Sequence, residues 1–308
     1  MTSTRIQIPV GTDTLAARHF RATTDALTGP AGRPCVVMAH GIGATQDCGL
    51  FEFAEALAGA GTDVITFDYR NFGESTGQPR QVVSLSGQVD DYHAVIDHAR
   101  HLDGVDPERI VAWGVSLSGG HVIRVAADDP RLAGVISLTP AVDGLAVTAD
   151  MLRTCGPGHQ MRVMRRCFRD IVAAVRRQPP VLIPVVGRPG EVAGLTAEGA
   201  VEGMLRIAGP TWRNEFAARL GLQIAAHRPI AHAARVRCPA LVQIGDLDRS
   251  APPGSATDAA TRMRATVHHY PCDHFDVYPG ADWHERVVED QIRFLTRILA
   301  PSGVAVAG

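Results

Sequence analysis

The amino-acid sequence predicts an α/β fold with a mostly parallel central sheet flanked by helices, and with a mainly helical cap inserted into it. The chain has 308 residues and is 45% hydrophobic, which is enough for one large core domain that carries an insertion. Short continuous apolar runs alternate with amphipathic segments, as expected when helices connect buried parallel strands. This alternation stops near residue 143 and resumes near residue 233.

The core begins with two stretches of alternating apolar residues, 5–10 and 15–20, which predict a β-hairpin at the edge of the sheet. The apolar runs that follow have the length of strands buried on both faces, and they predict strands at residues 35–39, 64–67, 109–113, 135–138, 240–244 and 266–270. Segments with apolar residues on one helical face predict helices at residues 50–60, 88–101, 117–127, 255–263 and 283–299. Residues 301–308 are expected to form a frayed tail.

Residues 143–232 lack the strand–helix rhythm of the core. They begin with an Arg-rich helical stretch, pass through the Pro- and Gly-rich apolar piece 179–187, and turn helical again. The segment is too long for a loop and shows no strand pattern of a second sheet. We therefore expect residues 1–142 and 233–308 to form the core, and residues 143–232 to form a cap over the carboxyl edge of its sheet.

Composition excludes several function classes. The formal net charge is −2, so no positive field favours nucleic acid or an acidic membrane. Lysine is absent, which rules out Schiff-base and Ser–Lys chemistry. The chain start has no signal-peptide pattern, and no apolar run has the length of a membrane span. The six scattered cysteines, without a C-x-x-C pair, predict reduced thiols. We expect a cytoplasmic protein that binds neither nucleic acid nor membrane.

Residues 113–120, Trp-Gly-Val-Ser-Leu-Ser-Gly-Gly, lie between a predicted strand and a predicted helix. A serine on a sharp strand-to-helix turn stands exposed above the sheet, and the turn needs small residues two positions before and after it. Gly114 fills the first of these positions, and Ser118 fills the second, where glycine is more common. The motif predicts Ser116 as a nucleophile, and a Gly/Ser-rich helix start that binds phosphate is the alternative.

A nucleophilic serine needs a base within hydrogen-bond reach and a carboxylate that orients the base, in the chain order Ser, acid, His. Asp248 follows a predicted strand and is the predicted acid, with Asp246 as its rival. His274 follows the next strand and is the predicted base. His268 and His269 lie within that strand, where neighbouring side chains point to opposite faces, so they are less favoured.

The oxyanion of an acyl-transfer reaction needs two preorganised N–H donors. We predict that the backbone of Leu117, directly after the nucleophile, supplies one of them. The loop after the first core strand reads His40-Gly-Ile-Gly, and its Ile42 N–H is the second predicted donor. Gly41 and Gly43 allow the backbone to approach the substrate closely, whereas His40 is expected to be structural.

Other polar clusters have simpler interpretations. Asp97 and His101 lie four residues apart on a predicted helix, but no ligand set with zinc spacing accompanies them. We predict a solvated helix face there, and no metal or organic cofactor.

Arg70 is expected to connect loops. The arginines of 161–177 are expected to lie on the outer face of the cap, and the alternative is that they bind a carrier protein or the phosphate of coenzyme A. The apolar cap residues that either line an acyl pocket or pack on the core are Met151, Leu152, Met161, Val163, Met164 and Phe168.

These motifs resemble those of the α/β-hydrolase superfamily, and the match covers the whole core. Within it, the chain is similar to the polyketide transferase group and to related Xaa-Pro dipeptidyl-peptidase-like hydrolases. The segments that carry this resemblance are His40-Gly-Ile-Gly, Gly49-Leu-Phe, Phe67-Asp-Tyr-Arg-Asn-Phe-Gly-Glu-Ser75, Gly77-Gln-Pro-Arg80, 113–121, Trp212-Arg-Asn-Glu215 and His274-Phe-Asp276. The resemblance implies Ser–Asp–His acyl chemistry and members that are either hydrolases or acyltransferases.

The sequence therefore predicts a serine hydrolase that acts on a carboxylic ester or thioester through an acyl-enzyme formed on Ser116. The alternative is an acyltransferase of polyketide-type biosynthesis that uses the same residues, and a peptidase or a non-catalytic binding protein is less favoured. The expected partner is a small acyl substrate, either free or linked to a carrier protein or coenzyme A. The sequence leaves the oligomeric state open, a homodimer included.

Overall fold

The computed structural model describes residues 3–300, so the tail predicted at 301–308 lies outside it. Its strands, in chain order, are β1 (Thr4–Val10), β2 (Asp13–Phe20), β3 (Arg33–Ala39), β4 (Asp63–Phe67), β5 (Val105–Val115), β6 (Gly134–Leu138), β7 (Leu182–Ile183), β8 (Phe216–Ala217), β9 (Ala240–Gly245) and β10 (Thr266–Tyr270). Each predicted core strand is present, and the predicted N-terminal hairpin is formed by β1 and β2.

Eight of these strands form the central sheet, in the order β1-β2-β4-β3-β5-β6-β9-β10. The hairpin strand β2 pairs antiparallel with β4, and all later neighbours in this order pair in parallel. The mostly parallel sheet predicted from the apolar runs is therefore confirmed. Because parallel strands end at the same edge, the loops after β3, β5, β9 and β10 can meet there, at the usual position of a functional site.

The helices are α1 (Leu50–Gly59), α2 (Leu85–Arg100), α3 (Leu117–Asp128), α4 (Gly144–Val175), α5 (Ala200–Ile207), α6 (Leu220–Gln223), α7 (Pro253–Met263) and α8 (His284–Leu299). In the core, α1 packs against α8 and α2 packs against α3, so helices flank the sheet. Trp113 of β5 is fully buried among them, its ring 5.3 Å from that of Phe53 and its Nε1–H bound to Gln291 at 3.0 Å. Within residues 3–300, none of the helices has both the length and the apolar character needed to cross a membrane.

The segment predicted as a cap is mainly helical, and its longest element is α4. A kink interrupts α4 at Gly156, where φ is 74°, directly before Pro157, which cannot continue the hydrogen-bond ladder. The segment also contains two short strands that its sequence pattern did not indicate, because β7 and β8 form a two-stranded antiparallel sheet. A two-residue strand leaves no alternating pattern in the sequence, which is why local periodicity did not reveal it.

Hydrogen bonds connect this segment to the core. The backbone N–H of Ala217 donates to the carbonyl of Gln81 at 2.8 Å, and the Gln81 side chain donates to the carbonyl of Glu215 at 2.9 Å. The Thr211 N–H and hydroxyl both donate to Asp47, each at 2.9 Å. Both core anchors, Gln81 and Asp47, lie in loops that follow strands at the carboxyl edge of the sheet. Residues 143–232, the segment predicted as a cap, are thus attached at the edge where the predicted site residues lie.

Candidate active site

Ser116 lies between β5 and α3 in a backbone conformation that is rare for a residue with a side chain, with φ 58° and ψ −119°. Such strain costs roughly 1–3 kcal/mol and persists only where surrounding contacts hold it. Here the Ser116 N–H donates to the carbonyl of Leu138 at 2.9 Å, and its own carbonyl accepts from Ala141 at 2.9 Å and Gly120 at 3.2 Å. The turn predicted around Ser116 is therefore fixed from both sides.

The tight turn explains why glycine is needed before the serine. A Cβ added to Gly114 would lie 2.2 Å from the carbonyl oxygen of Ser118, closer than any real Cβ contact. A Cβ on Gly120 would likewise lie 2.4 Å from the carbonyl oxygen of Ala141. These contacts show that α3 begins directly against the end of β5, which leaves the Ser116 side chain at the carboxyl edge of the sheet.

The structure brings Ser116, His274 and Asp248 together. The Nε2 atom of His274 lies 3.1 Å from the Ser116 hydroxyl, and its Nδ1 atom lies 2.7 Å from a carboxylate oxygen of Asp248. A carboxylate can only accept, so Nδ1–H donates to Asp248 and Nε2 is free to accept the serine proton. The other Asp248 oxygen accepts from the N–H groups of Ser250 at 2.8 Å and Ala251 at 2.7 Å, which fixes the direction of the carboxylate.

The electrostatic environment of His274 suits a base. Burial alone would lower the pKa of His274, because a low-dielectric site disfavours the charged imidazolium. The negative charge of Asp248 and its hydrogen bond outweigh burial, and the pKa of His274 lies above its ordinary value of 6.5. The imidazole can therefore hold a proton taken from Ser116 while the Asp248 carboxylate stabilises the resulting charge.

The residues considered as alternatives to Asp248 and His274 make other contacts. Asp246 lies 2.6 Å from Nδ1 of His269, and both side chains are about half exposed. His268 lies 3.2 Å from the buried carboxylate of Asp290. Neither histidine contacts Ser116, so of the two aspartates left open by the sequence, Asp248 is the one that reaches the histidine beside the serine.

An ion pair connects the two loops that carry the acid and the base. Arg249, next to Asp248, contacts the carboxylate of Asp273 at 2.6 Å, and Asp273 in turn accepts from the backbone N–H of His274 at 2.7 Å. Arg249 also donates its backbone N–H to Asp273 at 3.0 Å. This pairing was not predicted, and the Asp-x-Asp-Arg and Cys-Asp-His patterns alone give no sign of it.

The loop after β3 lies against the nucleophile. A Cβ added to Gly41 would be 3.0 Å from the Cβ of Ser116 and 3.4 Å from its Oγ, so the backbone of this loop touches the serine. Ile42 and Leu117, the predicted oxyanion donors, both line the pocket into which Ser116 opens. Gly43, with φ 61°, lies beneath the cap residue Val185, leaving no room for a side chain.

The clusters that were set aside remain outside this site. Arg70 donates to Asp91 at 2.6 Å and to the carbonyl of Gly87 at 3.1 Å, so it connects a loop to α2 as expected. Asp97 and His101 are both about three-quarters exposed. No group of three or more potential metal ligands occurs among residues 3–300. The six cysteines, all within this range, have free thiols.

An apolar pocket extends from Ser116 beneath the cap. Of the cap residues considered from the sequence, Met151 and Val163 line this pocket, whereas Met161 and Phe168 are exposed at 73% and 60%. Other apolar residues that line this pocket were not predicted from the sequence; they are Val147, Ile183, Leu195, Phe216, Leu220 and Ile224. These residues come from several separate elements, so only the folded cap brings them together.

A second, wider opening adjoins the apolar pocket. Val147, Met151 and Leu195 line both spaces, so the two lie side by side. The wider opening also carries charged side chains, which are those of Asp150, Arg153, Glu198, Asp248 and Arg249. The site therefore has an apolar compartment lined by Ser116 and an adjoining polar compartment lined by Asp248.

Comparisons with known proteins agree with this architecture. Residues 30–291 match the family model described as Serine aminopeptidase, S33. The chain is 38% identical over 287 residues to the quorum-quenching protein AidA of Acinetobacter baumannii (strain MDR-ZJ06), covering 92% of this chain and 91% of that one. It is 31% identical over 217 residues to polyketide transferase claH of Penicillium crustosum, covering 68% and 67%.

A solved structure shows the same fold. The α/β hydrolase GrgF from Penicillium sp. sh18 superimposes with a TM-score of 0.79 at 20% identity, covering 97% of this chain and 99% of that one. Together with the family match, this confirms the resemblance to the α/β hydrolases and the polyketide transferases. The chain therefore belongs to the Serine aminopeptidase, S33 family and is an enzyme of the α/β-hydrolase type.

Proposed function

We propose that this enzyme cleaves a carboxylic ester or thioester with an apolar acyl group, through an acyl-enzyme on Ser116. The observation that carries the proposal is the continuous hydrogen-bonded series Asp248–His274–Ser116, which opens directly into an apolar pocket. The apolar pocket holds the acyl chain, and the polar opening beside it receives the alcohol or thiol part.

In the first half-reaction, Ser116 Oγ attacks the acyl carbon while its proton passes to Nε2 of His274. The negative charge moves to the acyl oxygen, which accepts hydrogen bonds from the backbone N–H groups of Ile42 and Leu117. The bond to the leaving group then breaks, and His274 returns its proton to the departing alcohol or thiol. Asp248 keeps the imidazole oriented and stabilises its positive charge.

In the second half-reaction, a water molecule enters through the polar opening and gives a proton to His274 as it attacks the acyl carbon. The bond to Ser116 Oγ breaks, the oxygen regains the proton, and a carboxylic acid leaves. Peptide hydrolysis from an amino terminus is less well supported, because the free ammonium group would belong to the acyl part of the substrate. Asp150 and Glu198, which could bind an ammonium group, line the polar opening, and no aspartate or glutamate of residues 3–300 lines the apolar pocket proposed for the acyl part.

An acyltransferase is the second candidate, favoured by the relative named polyketide transferase and by the same pocket. The first half-reaction is then unchanged, and a hydroxyl or amine acceptor replaces water in the second. The polar opening, lined by Arg153 and Arg249, is where such an acceptor would bind. The two candidate functions therefore differ only in whether water or another acceptor takes the acyl group from Ser116.

The proposal is tested with p-nitrophenyl esters from acetate to decanoate, following release of p-nitrophenol from the first turnover onwards. Steady turnover with an optimum at a medium or long chain is expected for hydrolysis, because the pocket wall is apolar. Release of one equivalent of p-nitrophenol without further turnover, followed by turnover once an alcohol or amine is added, would instead favour the acyltransferase. Absence of both at every chain length would contradict the proposal.

A bulkier side chain where the apolar pocket adjoins the polar opening should change which acyl chain lengths the enzyme prefers. Val147 lines both spaces, and Val147→Trp is expected to lower kcat/KM for the decanoate ester by about tenfold or more, because the bulky ring obstructs the chain. The acetate ester should change by less than about threefold. Leu145→Trp is the matched control, since Leu145 lies two residues earlier on α4 and is half exposed. Equal losses for both esters would show that the acyl chain does not occupy this pocket.

A further inference from the structure

Ser118, at the position where the nucleophile motif more commonly has glycine, takes part in a buried hydrogen-bond network. Its side chain is fully buried. Its hydroxyl donates to the carbonyl oxygen of His40, the first residue of the loop that carries Ile42. Ser118 belongs to the first turn of α3, which begins with Leu117. One hydroxyl therefore connects the two segments that carry the predicted oxyanion donors.

Tyr69 completes this connection. Its hydroxyl lies 2.5 Å from the Ser118 hydroxyl. Because Ser118 gives its only hydrogen to His40, Tyr69 must be the donor in this pair. Burial raises the pKa of Tyr69 well above its ordinary value, so the phenol keeps the proton that it donates. The ring of Tyr69 also packs against the His40 ring, with centroids 4.9 Å apart and nearly perpendicular planes.

Hydrogen bonds also hold the loop that follows His40. Burial lowers the pKa of His40 to about 4, so its ring is neutral at pH 7 and carries one ring proton. That proton lies on Nδ1, which donates to the carbonyl of Gly41 at 2.9 Å. The same carbonyl accepts from Ala44 at 3.4 Å. Gly41 touches Ser116, so a shift at the His40 carbonyl would move the Ile42 N–H relative to the serine.

We propose that Ser118 is a positioning residue, whose hydroxyl holds the His40–Gly43 loop at the distance from α3 at which Ile42 and Leu117 point at the same oxyanion. This inference rests on the proposed acyl chemistry of Ser116. Preorganised donors contribute most when they need no rearrangement during the reaction, so loss of this contact should slow acylation rather than weaken ground-state binding.

The chain provides a matched control. Ser137 on β6 is also fully buried, and its hydroxyl donates to the carbonyl of Gly119, one residue beyond Ser118 in α3. Ser137→Ala and Ser118→Ala thus each remove a buried hydroxyl that binds a backbone carbonyl near Ser116. Only the Ser118 hydroxyl reaches the oxyanion loop. A general loosening of the turn would affect both variants, whereas a positioning role affects one.

The test is the second-order rate at which an alkyl fluorophosphonate modifies Ser116, followed by intact mass. In this step a bond forms between Ser116 Oγ and phosphorus, the fluorine–phosphorus bond breaks, and the serine proton passes to His274. The phosphoryl oxygen occupies the oxyanion position, so no knowledge of the natural substrate is needed. We expect Ser118→Ala to react about tenfold to about a hundredfold more slowly than the wild type, and Ser137→Ala to stay within about threefold.

The pH dependence of the same reaction identifies the cause. The rate for Ser118→Ala should rise with pH through the same inflection as the wild type, because the His274–Asp248 pair is untouched. Ser118→Gly, with the residue more common at this position, should be slowed as much as Ser118→Ala. A wild-type rate in both Ser118 variants, or an equal slowing in Ser137→Ala, would overturn the positioning role and leave the proposed function intact. An unreactive wild type would overturn both.

Discussion

Replacing Ser116 by alanine is expected to lower the rate of ester cleavage by about 10⁵-fold or more, because the substitution removes the proposed nucleophilic oxygen. The substitution removes only an Oγ atom that His274 contacts at 3.1 Å, so the fold should persist. Substrate binding should also persist, because the apolar wall of the pocket is unchanged. The measurement is kcat for the preferred p-nitrophenyl ester, with thermal unfolding of the same preparation.

Ser137→Ala serves as the control for this substitution, because Ser137 is a buried serine on the neighbouring strand that does not contact His274. It should retain activity within about threefold of the wild type. Residual turnover of Ser116→Ala at even one hundredth of the wild-type rate would show that another residue is the nucleophile.

Asp248→Asn is expected to lower kcat by about 10⁴-fold with little change in KM. The asparagine amide can donate an N–H to Nδ1 of His274, and the imidazole would then carry its proton on Nε2. A protonated Nε2 cannot accept the proton of the Ser116 hydroxyl. The hydrogen bonds from Ser250 and Ala251 reach one carboxylate oxygen and can be retained by the amide oxygen. The measurement is kcat and KM for one ester across pH 5–9.

Asp246→Asn provides the matched comparison, because Asp246 lies two residues away and its carboxylate binds the exposed His269. It should keep activity within about threefold, and its rate should rise with pH as in the wild type. A large loss in Asp246→Asn, with Asp248→Asn active, would assign the acid to the other member of this turn.

The core could be predicted from sequence because strands buried on both faces must be continuously apolar. The run at residues 266–270 corresponds to β10, Thr266–Tyr270, without any shift. Helix ends were less accurate: α2 begins at Leu85, before the predicted residue 88, because Ser84 caps it by accepting from the N–H of Gly87 at 3.1 Å. β5 begins at Val105 rather than 109, since Arg33 pairs with Val105 across an irregular step in the sheet.

The cap could be predicted only in outline. Its helical character followed from composition, but Leu182–Ile183 and Phe216–Ala217 pair across more than thirty residues, and a two-residue strand has no period. The buried ion pair of Asp170 with Arg219, 2.7 Å apart, likewise joins distant segments. The apolar pocket is made by such long-range contacts, so its wall could not be read from any single segment. The cap boundaries at residues 143 and 232 stay a prediction.

The proximity of Ser116, Asp248 and His274 could be predicted because the chain order and strand ends constrain where these residues lie. The choice between Asp248 and Asp246 needed the turn geometry, in which the backbone N–H groups of Ser250 and Ala251 direct the Asp248 carboxylate. From the sequence, Ser118 stood out only as a serine at a position where glycine is more common. The structure instead gives its hydroxyl two partners, Tyr69 and His40, which are far away in sequence.

Whether the acyl-enzyme forms on Ser116 can be tested by the intact mass of the enzyme after rapid quenching with p-nitrophenyl octanoate, combined with fragmentation of the peptide that contains Ser116. We expect one octanoyl group on Ser116 in the wild type, formed before steady turnover begins, and none in Ser116→Ala. An octanoyl group on another residue, or turnover by Ser116→Ala at the wild-type rate, would contradict an acyl-enzyme on Ser116.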